Sequence, residues 1–370
     1  MPSCRSGAYD TGVKASVSAV VLAVTVATSI SCAAIPSPNA QRQSELEGAE
    51  RTKLMIAAAF GEYDYRSADA ALAGAAERGE LDRASAAWWG FDPKDSSRAL
   101  RAALASGAGT VLIPKMPSPW ITGPLRLHGS LTLILEPGAE VAAIEGAFRM
   151  AGDCLMEAEG AADLVIVGYG AKLSMRKEDY RKSPYEDAQW RHALSLREPR
   201  RARVSGLSIE DSGGDGIYIG QRSGRPVPEE ILLEDLRIRG HYRQGISVTS
   251  ARGLSILRCD ISGTSGHAPG AGIDFEPNSG LFGFADCLVA SCVIYGNSGP
   301  GILVYLATRS AKEEPVRIEV RDSFVRGFPY GFYVGGLSSG ARGSLLISGG
   351  SVSGLIRKSE GNGFLLERRP

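Results

Sequence analysis

Short runs of alternating apolar and polar residues, separated by glycine and proline, fill the chain from about residue 110 onward. A four-residue pattern, Gly-apolar-x-apolar, recurs at intervals of 27 to 32 residues, and its copies begin at Gly216, Gly245, Gly272, Gly301, Gly331 and Gly363. A unit of about 30 residues that holds only short strands and turns cannot bury its own apolar side chains, whereas units stacked about 4.8 Å apart bury a continuous interior. The pattern therefore predicts a parallel β-solenoid.

A second apolar position precedes most copies and is followed two residues later by glycine. Ile238 with Gly240 is one example, and Ile209 with Asp211 is the one departure. Each repeat therefore contains at least two short strands and their turns. Glycine contributes 46 of the 370 residues, well above the usual ~7%, which also indicates frequent tight turns.

The residues before the repeats predict helices. Residues 45–90 are rich in alanine and charge, with apolar residues at helix-like intervals, which indicates two or three short helices. Asp95 and the two serines after it offer N-caps to an amphipathic helix that Gly107 would end. The buried face of this helix is predicted at Ala99, Leu100, Ala103 and Leu104. We expect it to close the N-terminal end of a solenoid domain over residues 91–370, where an open strand edge would invite aggregation.

The first residues have the features of an export signal. Arg5 and Lys14 precede an uncharged apolar run, Ala15–Ile30, which is short for a membrane span. We expect a signal peptide over residues 1–34, in which Cys32 is a candidate lipidation site, and a polar linker over residues 35–44. No later stretch is long and apolar enough to cross a bilayer, so a periplasmic or extracellular protein, tethered at most by its start, is expected.

Charge and cysteine content narrow the function classes. The 41 Lys and Arg residues balance the 41 Asp and Glu residues, so the chain has no net positive charge to attract a nucleic acid backbone. A general nucleic-acid-binding protein is therefore not expected. The cysteines after the leader show no metal-ligand spacing and are too few for a disulfide scaffold in a chain of this length. Cys259 and Cys292 occupy equivalent positions in successive repeats, which favours an inward ladder of small side chains over a disulfide.

The residues that open the solenoid resemble a known superfamily. Trp89-Gly-Phe-Asp-Pro, the helix Ser97–Ser106, and the runs Gly109–Pro114 and Trp120–Leu127 are similar to the first coil of the pectate-lyase-like, right-handed parallel β-helix superfamily. The resemblance extends over residues 88–367. It implies an all-β, right-handed parallel β-helix with coils of about 30 residues and an N-terminal helical cap. Because the superfamily includes hydrolases, lyases, epimerases and phage spikes, the resemblance leaves the reaction open.

Alignment of the repeats places equivalent residues in rows along the solenoid. The middle residues of successive patterns should point outward, in a row of Tyr218, Ser247, Asp274, Leu303 and Tyr333. Glu276 and Tyr305 lie two residues further along their strands. Asp215 and Gln244 lie just before their glycines, and His192 is expected beside Asp215. These rows predict a single polar strip on one side of the molecule.

The strip contains a candidate catalytic pair. Asp274 and Glu276 are two residues apart on one strand, so their Cα atoms should be about 6.6 Å apart on the same side. Glycosidic cleavage requires two carboxyl groups separated by roughly 5 to 9.5 Å, and Asp215 could supply a third. The residues expected to bind a polysaccharide or oligosaccharide are Arg191, His192, Tyr218, His241, Tyr242, Arg243, Gln244 and Tyr305. The strip therefore predicts a glycoside hydrolase.

Two segments of the strip are similar to motifs of particular β-helix enzymes. Gly214–Ile219 and Tyr242–Val248 are similar in placement to the polygalacturonase motifs, but a single acid stands at Asp215 and Gln244 replaces the expected histidine. Gly272–Pro277 is loosely similar to the Asp-Pro-His-Glu strand of alginate epimerases, without its histidine. These departures leave two alternatives open: a uronate lyase or C5-epimerase that uses the Arg, His and Tyr side chains, and a non-catalytic glycan-binding solenoid.

Two insertions interrupt the repeats. The stretch Lys172–Trp190 is expected to fold over the strip, and His267 lies in a loop four residues longer than its equivalents. The sequence predicts no cofactor. Calcium could be bound by Asp215, Asp274 and Glu276, but no calcium-loop spacing supports it. A monomer is expected.

Overall fold

The computed structural model describes residues 38–278, 282–337 and 340–370, and the predicted signal peptide with Cys32 lies outside these residues. Within these ranges the chain forms three α-helices, α1 (Pro38–Phe60), α2 (Ala70–Glu77) and α3 (Ser97–Ala105). Short 3-10 helices span Ala86–Trp89 and Asp179–Arg181. Helix α1 begins inside residues 35–44, where a linker was expected. Those residues include alanine, glutamine and arginine, which favour helix, and a proline is tolerated in the first turn.

The described strands pair in parallel and form three faces of a solenoid. Face A consists of β1 Arg83–Ser85, β2 Thr110–Ile113, β5 Thr132–Leu135, β8 Val165–Val167, β11 Arg200–Ser205, β14 Glu229–Glu234, β17 Ala251–Leu257, β20 Phe284–Ala285, β21 Cys287–Ala290, β24 Val316–Arg321, β26 Gly343–Ser348 and β28 Phe364–Arg369. Face B consists of β3 Trp120–Thr122, β6 Glu140–Ala143, β9 Lys172–Ser174, β12 Ser208–Glu210, β15 Arg237–Arg239, β18 Asp260–Ser262 and β22 Val293–Tyr295. Face C consists of β4 Leu125–Leu127, β7 Met156–Glu159, β10 Leu194–Arg197, β13 Ile217–Gly220, β16 Ile246–Val248, β19 Ile273–Phe275 and β23 Ile302–Tyr305.

Each coil visits face A, then face B, then face C, and the next coil stacks on it. The long strand β25 (Phe324–Gly335) starts on face B and ends on face C, and β27 (Ser351–Lys358) pairs along it. The architecture is the right-handed parallel β-helix expected from the repeats.

The core is a set of apolar ladders along the inside of the solenoid. Ile217, Ile246 and Ile273 pair in register on face C and have no exposed surface. The repeated glycine next to each of these residues is required by crowding at the corner. A Cβ on Gly245 would lie 2.3 Å from Ile261 Cγ2 and 2.5 Å from the main-chain oxygen of the next coil. Glycine therefore recurs at this position because neighbouring coils approach it closely, and not only because the chain turns there.

The glycine that follows the second apolar anchor serves a different purpose. Gly240, Gly263 and Gly296 have φ values of 75°, 73° and 63°, which lie in the left-handed region. Asp211, the departure from the pattern, adopts the same conformation with φ 57°. Aspartate tolerates this region better than most residues, so the exception preserves the turn.

Helix α3 covers the N-terminal end of the stack. Asp95 Oδ1 accepts a hydrogen bond from the Ser97 N–H at 2.9 Å, and Gly107, with φ 81°, follows the helix end. The predicted apolar face is buried, with Leu100 fully enclosed. The expected cap is therefore confirmed. Cys259 and Cys292 also stack as expected, as buried free thiols in the core.

Candidate functional site

The outward positions of face C stack in one row, as predicted. The register pairs Tyr218 with Ser247, Ser247 with Asp274, and Asp274 with Leu303. Asp274 nevertheless has no exposed surface, and Ser247 is only 1% exposed. The row is therefore covered where the sequence predicted an open surface, because coils about 4.8 Å apart allow long side chains of one coil to lie across the next.

Asp215 lies one position before its glycine and is fully buried. Its Oδ1 accepts a hydrogen bond from the Gln244 N–H at 3.1 Å, and its Oδ2 lies 3.4 Å from Arg243 Nη1. Burial raises the pKa of Asp215 to about 7, although Arg243 and the Gln244 N–H act in the opposite direction. Near neutral pH this carboxyl can therefore both hold and release a proton.

His192 lies beside Asp215, as the repeat alignment predicted. Its Nδ1 accepts a hydrogen bond from the Asp215 N–H at 3.1 Å and is 3.2 Å from Asp215 Oδ2. Burial holds the pKa of His192 well below its usual value, and the nearby Arg197 and Arg243 lower it further. The imidazole is therefore neutral, and its Nδ1 lone pair is used by the Asp215 N–H. Its ring stacks on Tyr218, with centroids 5.0 Å apart.

Asp274 is the second buried carboxyl of the strip. Its Oδ2 accepts from the Gln244 side-chain amide at 3.0 Å, whereas its Oδ1 has no hydrogen-bond partner among the described residues. Gln244 is held in turn, because its Oε1 accepts from the Ala271 N–H at 2.7 Å. Burial raises the pKa of Asp274 well above its usual value, and the charge of Glu276 raises it further. Asp274 therefore keeps its proton to a higher pH than an exposed aspartate does.

Arg243 lies between acids of the two neighbouring coils. Its Nη1 is 3.4 Å from Asp215 Oδ2 and its Nη2 is 3.9 Å from Glu276 Oε2. The Glu276 side chain is 39% exposed, whereas that of Arg243 is 16% exposed. We call Asp215, Arg243, Gln244, Asp274 and Glu276 the carboxylate cluster. Glu276 is its most accessible acid.

Arg191 is placed away from this cluster. Its guanidinium is fully buried and donates hydrogen bonds to the carbonyls of Phe148 and Glu186, both at 2.7 Å. It also lies over the rings of Tyr180 and Tyr185, at 5.6 and 5.9 Å. These contacts tie the inserted segment to a neighbouring coil, so the structure does not bring this predicted sugar-binding residue to the strip.

His241 is also placed in the interior. Its Nε2 is 3.1 Å from the Ile209 carbonyl oxygen, and its Nδ1 accepts from the Ser212 N–H at 3.2 Å. Burial lowers the pKa of His241 to about 3. A neutral, fully bonded imidazole at this corner cannot face a substrate.

The predicted tyrosines lie at different places. Tyr218 lies on the strip, where its hydroxyl is 3.0 Å from Thr249 Oγ1. Tyr305 is exposed on the second outward row, next to Gly335. Tyr242 is turned toward the inserted segment, where the Arg181 guanidinium lies 5.5 Å from its ring.

The strip extends further toward the N-terminal cap than the sequence predicted. Arg126, Glu157 and Ser195 continue the Tyr218 row, and Arg197 lies over the Tyr218 ring at 5.1 Å. A cavity of about 650 Å³ lies on this part of face C, lined by Arg126, His128, Cys154 and Glu157 among others. The sequence does hold a signal for this part of the strip. Two apolar pairs flank the outward residues as the repeat requires, Leu125/Leu127 and Leu194/Leu196.

The inserted segment is shorter than expected. Lys172–Ser174 is a regular strand of face B, paired with Glu140–Ala142 and Ser208–Glu210, so the insertion itself spans residues 175–190. Among the described residues, no group of three or more His, Cys, Asp or Glu side chains is arranged to hold a metal ion. No helix within the same ranges is long and apolar enough to cross a membrane.

Comparisons with known proteins agree with this architecture. A family model described as a right handed beta helix region matches residues 186–342. This match and the parallel coils agree with the right-handed parallel β-helix of the pectate-lyase-like superfamily, which the first coil resembles. No protein of curated function matches the sequence.

Several solved structures are similar to this chain at low identity. The pre-mature gene product 12 of bacteriophage phi29 is 16% identical over 72% of this chain, with a TM-score of 0.48, and the chain spans only 36% of that protein. The polygalacturonase of Erwinia carotovora ssp. carotovora is 9% identical, with 75% of this chain and 94% of that chain covered and a TM-score of 0.45. The mannuronan C-5 epimerase A-module of Azotobacter vinelandii is 13% identical, with 77% and 95% covered and a TM-score of 0.39.

Proposed function

We propose that the chain is an exported glycoside hydrolase that cleaves a polysaccharide, with Asp274 and Glu276 as its carboxyl pair. The observation that carries this proposal is the contrast between two acids two residues apart, Asp274 on strand β19 and Glu276 directly after the strand ends. Asp274 is buried with a raised pKa, whereas the Glu276 carboxylate is 39% exposed. Glycosidic cleavage needs one carboxyl that still holds its proton and one that is ionised. Export rests on the leader sequence.

The geometry supports separate roles for the members of the carboxylate cluster, with Asp215 as the supporting acid. Asp274 donates its proton to the leaving glycosidic oxygen, and Glu276 attacks the anomeric carbon or activates water. Gln244 positions Asp274 through its side-chain amide and Asp215 through its main-chain N–H. Arg243 lies between Asp215 and Glu276 in the free protein, where it can hold a hydroxyl or carboxylate group of the sugar.

The test is a time course of the purified mature protein on a panel of neutral and uronate-containing polysaccharides. Reducing ends and the ultraviolet absorbance of unsaturated sugars are recorded together. We expect new reducing ends without absorbance. Asp274→Asn and Glu276→Gln should each lower the rate by about 10²- to 10⁴-fold, because each removes one proton-transfer or nucleophilic group.

Glu319→Gln is the matched control, since this acid lies on strand β24 of face A, away from the cluster. Full activity of Asp274→Asn on the cleaved substrate would contradict the assignment. Absorbance rising in step with reducing ends would instead identify a uronate lyase. The structure offers that reaction less support, because both candidate histidines are buried and Arg243 already lies between two acids.

One observation favours a second candidate, a non-catalytic glycan-binding surface. Two of the three acids lie within 4.0 Å of Arg243, as expected of a structural ion-pair network. Under that alternative, no product forms from any polysaccharide, and a bound oligosaccharide shifts the thermal midpoint of wild type and Asp274→Asn equally.

A further inference from the structure

Two departures from the repeat meet at one corner of the solenoid. The first is the inserted segment 175–190, and the second is the loop after Gly263, which is four residues longer than its equivalents. Lys177 from the first segment places its Nζ 2.9 Å from the Oγ of Ser265 in the second. Neither residue belongs to the carboxylate cluster.

The two side chains are held by a shared acceptor. The carbonyl oxygen of His241 accepts from the Ser265 N–H at 2.9 Å and lies 3.5 Å from Lys177 Nζ. The His241 ring is itself fixed in the interior by two hydrogen bonds. On either side of Ser265, Thr264 bonds to Gly270 and the His267 N–H donates to Tyr242. The position of the hydroxyl relative to the amine is therefore rigidly determined.

The surroundings favour a nucleophile with a base behind it. Ser265 is exposed, whereas Lys177 is only 9% exposed. No carboxylate among the described residues forms an ion pair with Lys177. Burial lowers the pKa of Lys177, and Arg181 lowers it further, against the opposing charges of Glu178 and Asp211. A larger share of the amine is therefore neutral and able to accept a proton.

The loop packs tightly against Tyr242 next to Ser265. Gly266 has φ 143°, and a Cβ there would lie 2.2 Å from the Tyr242 ring, so glycine is required next to Ser265. A cavity of about 410 Å³ lies on the far side of the amine, lined by Lys177, Asp211 and Gly240 among others, and Ser265 is not part of its lining. The hydroxyl itself is open to solvent, so a short acyl group can reach Ser265 from outside.

We propose that Ser265 and Lys177 form a serine–lysine dyad that hydrolyses carboxylic esters of short acyl groups. Ser265 Oγ attacks the ester carbon while its proton passes to Lys177 Nζ. The bond to the alcohol then breaks, and the ammonium returns the proton to the leaving oxygen. Water attacks the acyl-enzyme with Lys177 as base, which releases the acid and restores the serine hydroxyl.

Two reagents test the dyad on the purified mature protein. An alkyl fluorophosphonate should add one label, located at Ser265 by peptide mass mapping, and p-nitrophenyl acetate should be hydrolysed. Ser265→Ala should abolish both reactions, whereas Ser223→Ala, at an exposed serine of another turn, should leave them unchanged. Lys177→Arg should slow both by about 100-fold or more, because arginine keeps the charge and the hydrogen bonds but cannot accept a proton.

Labelling of another residue, or Lys177→Arg reacting at the wild-type rate, would overturn the proposal and leave Lys177 as a tether between the two insertions. Because loss of Lys177 could also unfold the corner, thermal midpoints accompany each rate, and the labelled position in the wild type decides the matter without a variant. The dyad does not depend on the proposed polysaccharide cleavage, which Ser265→Ala should retain in full. Failure of one activity is thus separable from failure of the other.

Discussion

Asp215 and Asp274 are carboxyl groups with no exposed surface on the outer side of a solenoid, and one residue of the intervening coil links them. Gln244 bonds Asp215 through its main chain and Asp274 through its side chain. Both acids have raised pKa values because burial penalises the charged form more than their partners stabilise it. At the residue scale, the strip therefore combines two buried carboxyl groups with raised pKa values and one exposed acid, Glu276.

Asp215 should make the stability of the protein depend on pH. Its pKa rises from 3.8 in the unfolded chain to about 7 in the fold, so the native state binds more protons between these values. The stabilising contribution is complete below about pH 4 and is lost as pH rises through about 7, by up to about 4 kcal/mol. Buried neutral His192 acts in the opposite direction below its own usual pKa.

Asp215→Asn removes this titration and leaves His192 in place. Urea denaturation from pH 4 to pH 8 measures the free energy of unfolding of both proteins. As pH rises, the wild type should lose stability relative to the variant. A constant difference across this range would show that Asp215 is charged in the fold.

Gly245 tests the corner geometry. A methyl group there meets Ile261 Cγ2 at 2.3 Å and a main-chain oxygen at 2.5 Å, and neither can move without shifting a coil. We expect Gly245→Ala to lower the free energy of unfolding by about 1–3 kcal/mol or more. Gly152→Ala is the control, because a Cβ there meets nothing within 4 Å. Equal midpoints in urea for both variants would refute the crowding argument.

At the element scale, the unit of this protein is the coil, and each coil depends on its neighbours for burial. The first full coil, β2 to β4, is preceded on face A by the short strand β1, and α3 packs against β3 and β4 of that coil. The buried residues of α3 are Ser97, Ala99, Leu100, Ala103 and Leu104. The helix is thus part of the core although it lies outside every ladder.

Leu100→Ala should show how much the cap contributes. The side chain is fully buried, so its truncation should cost about 2–5 kcal/mol. It should also promote association, because the strand edges beneath the helix would open more often. Arg98→Ala, at an exposed position of the same helix, should change neither the thermal midpoint nor the sedimentation behaviour. A monomeric Leu100→Ala protein with the wild-type midpoint would contradict this role.

At the scale of the whole molecule, the repeat made most of the architecture predictable. A period near 30 residues with two apolar anchors leaves stacking as the way to bury them, so the solenoid, its cap and the outward row followed from sequence. The proximity of His192 and Asp215 followed too, because residues one repeat apart become spatial neighbours. In the same way, the register placed Asp274 in the outward row of face C, although strand β19 ends at Phe275, one residue before Glu276.

Burial was decided by the tertiary structure alone. The alternation of a strand states which side chains leave the core, but not whether long side chains from adjacent coils cover them, as over Asp274. A repeat also does not show where inserted segments fold. Arg191 and His241 were therefore expected at a groove, whereas in the structure they bond to buried carbonyl groups. The meeting of Lys177 and Ser265, 88 residues apart in two insertions, depends on how both segments fold back on the stack. The sequence by itself determined the repeated features, the coils, their ladders and their register, because equivalent residues recur in every coil. The tertiary structure decided the contacts of the insertions and the burial of individual side chains, because these have no periodic signal in the sequence.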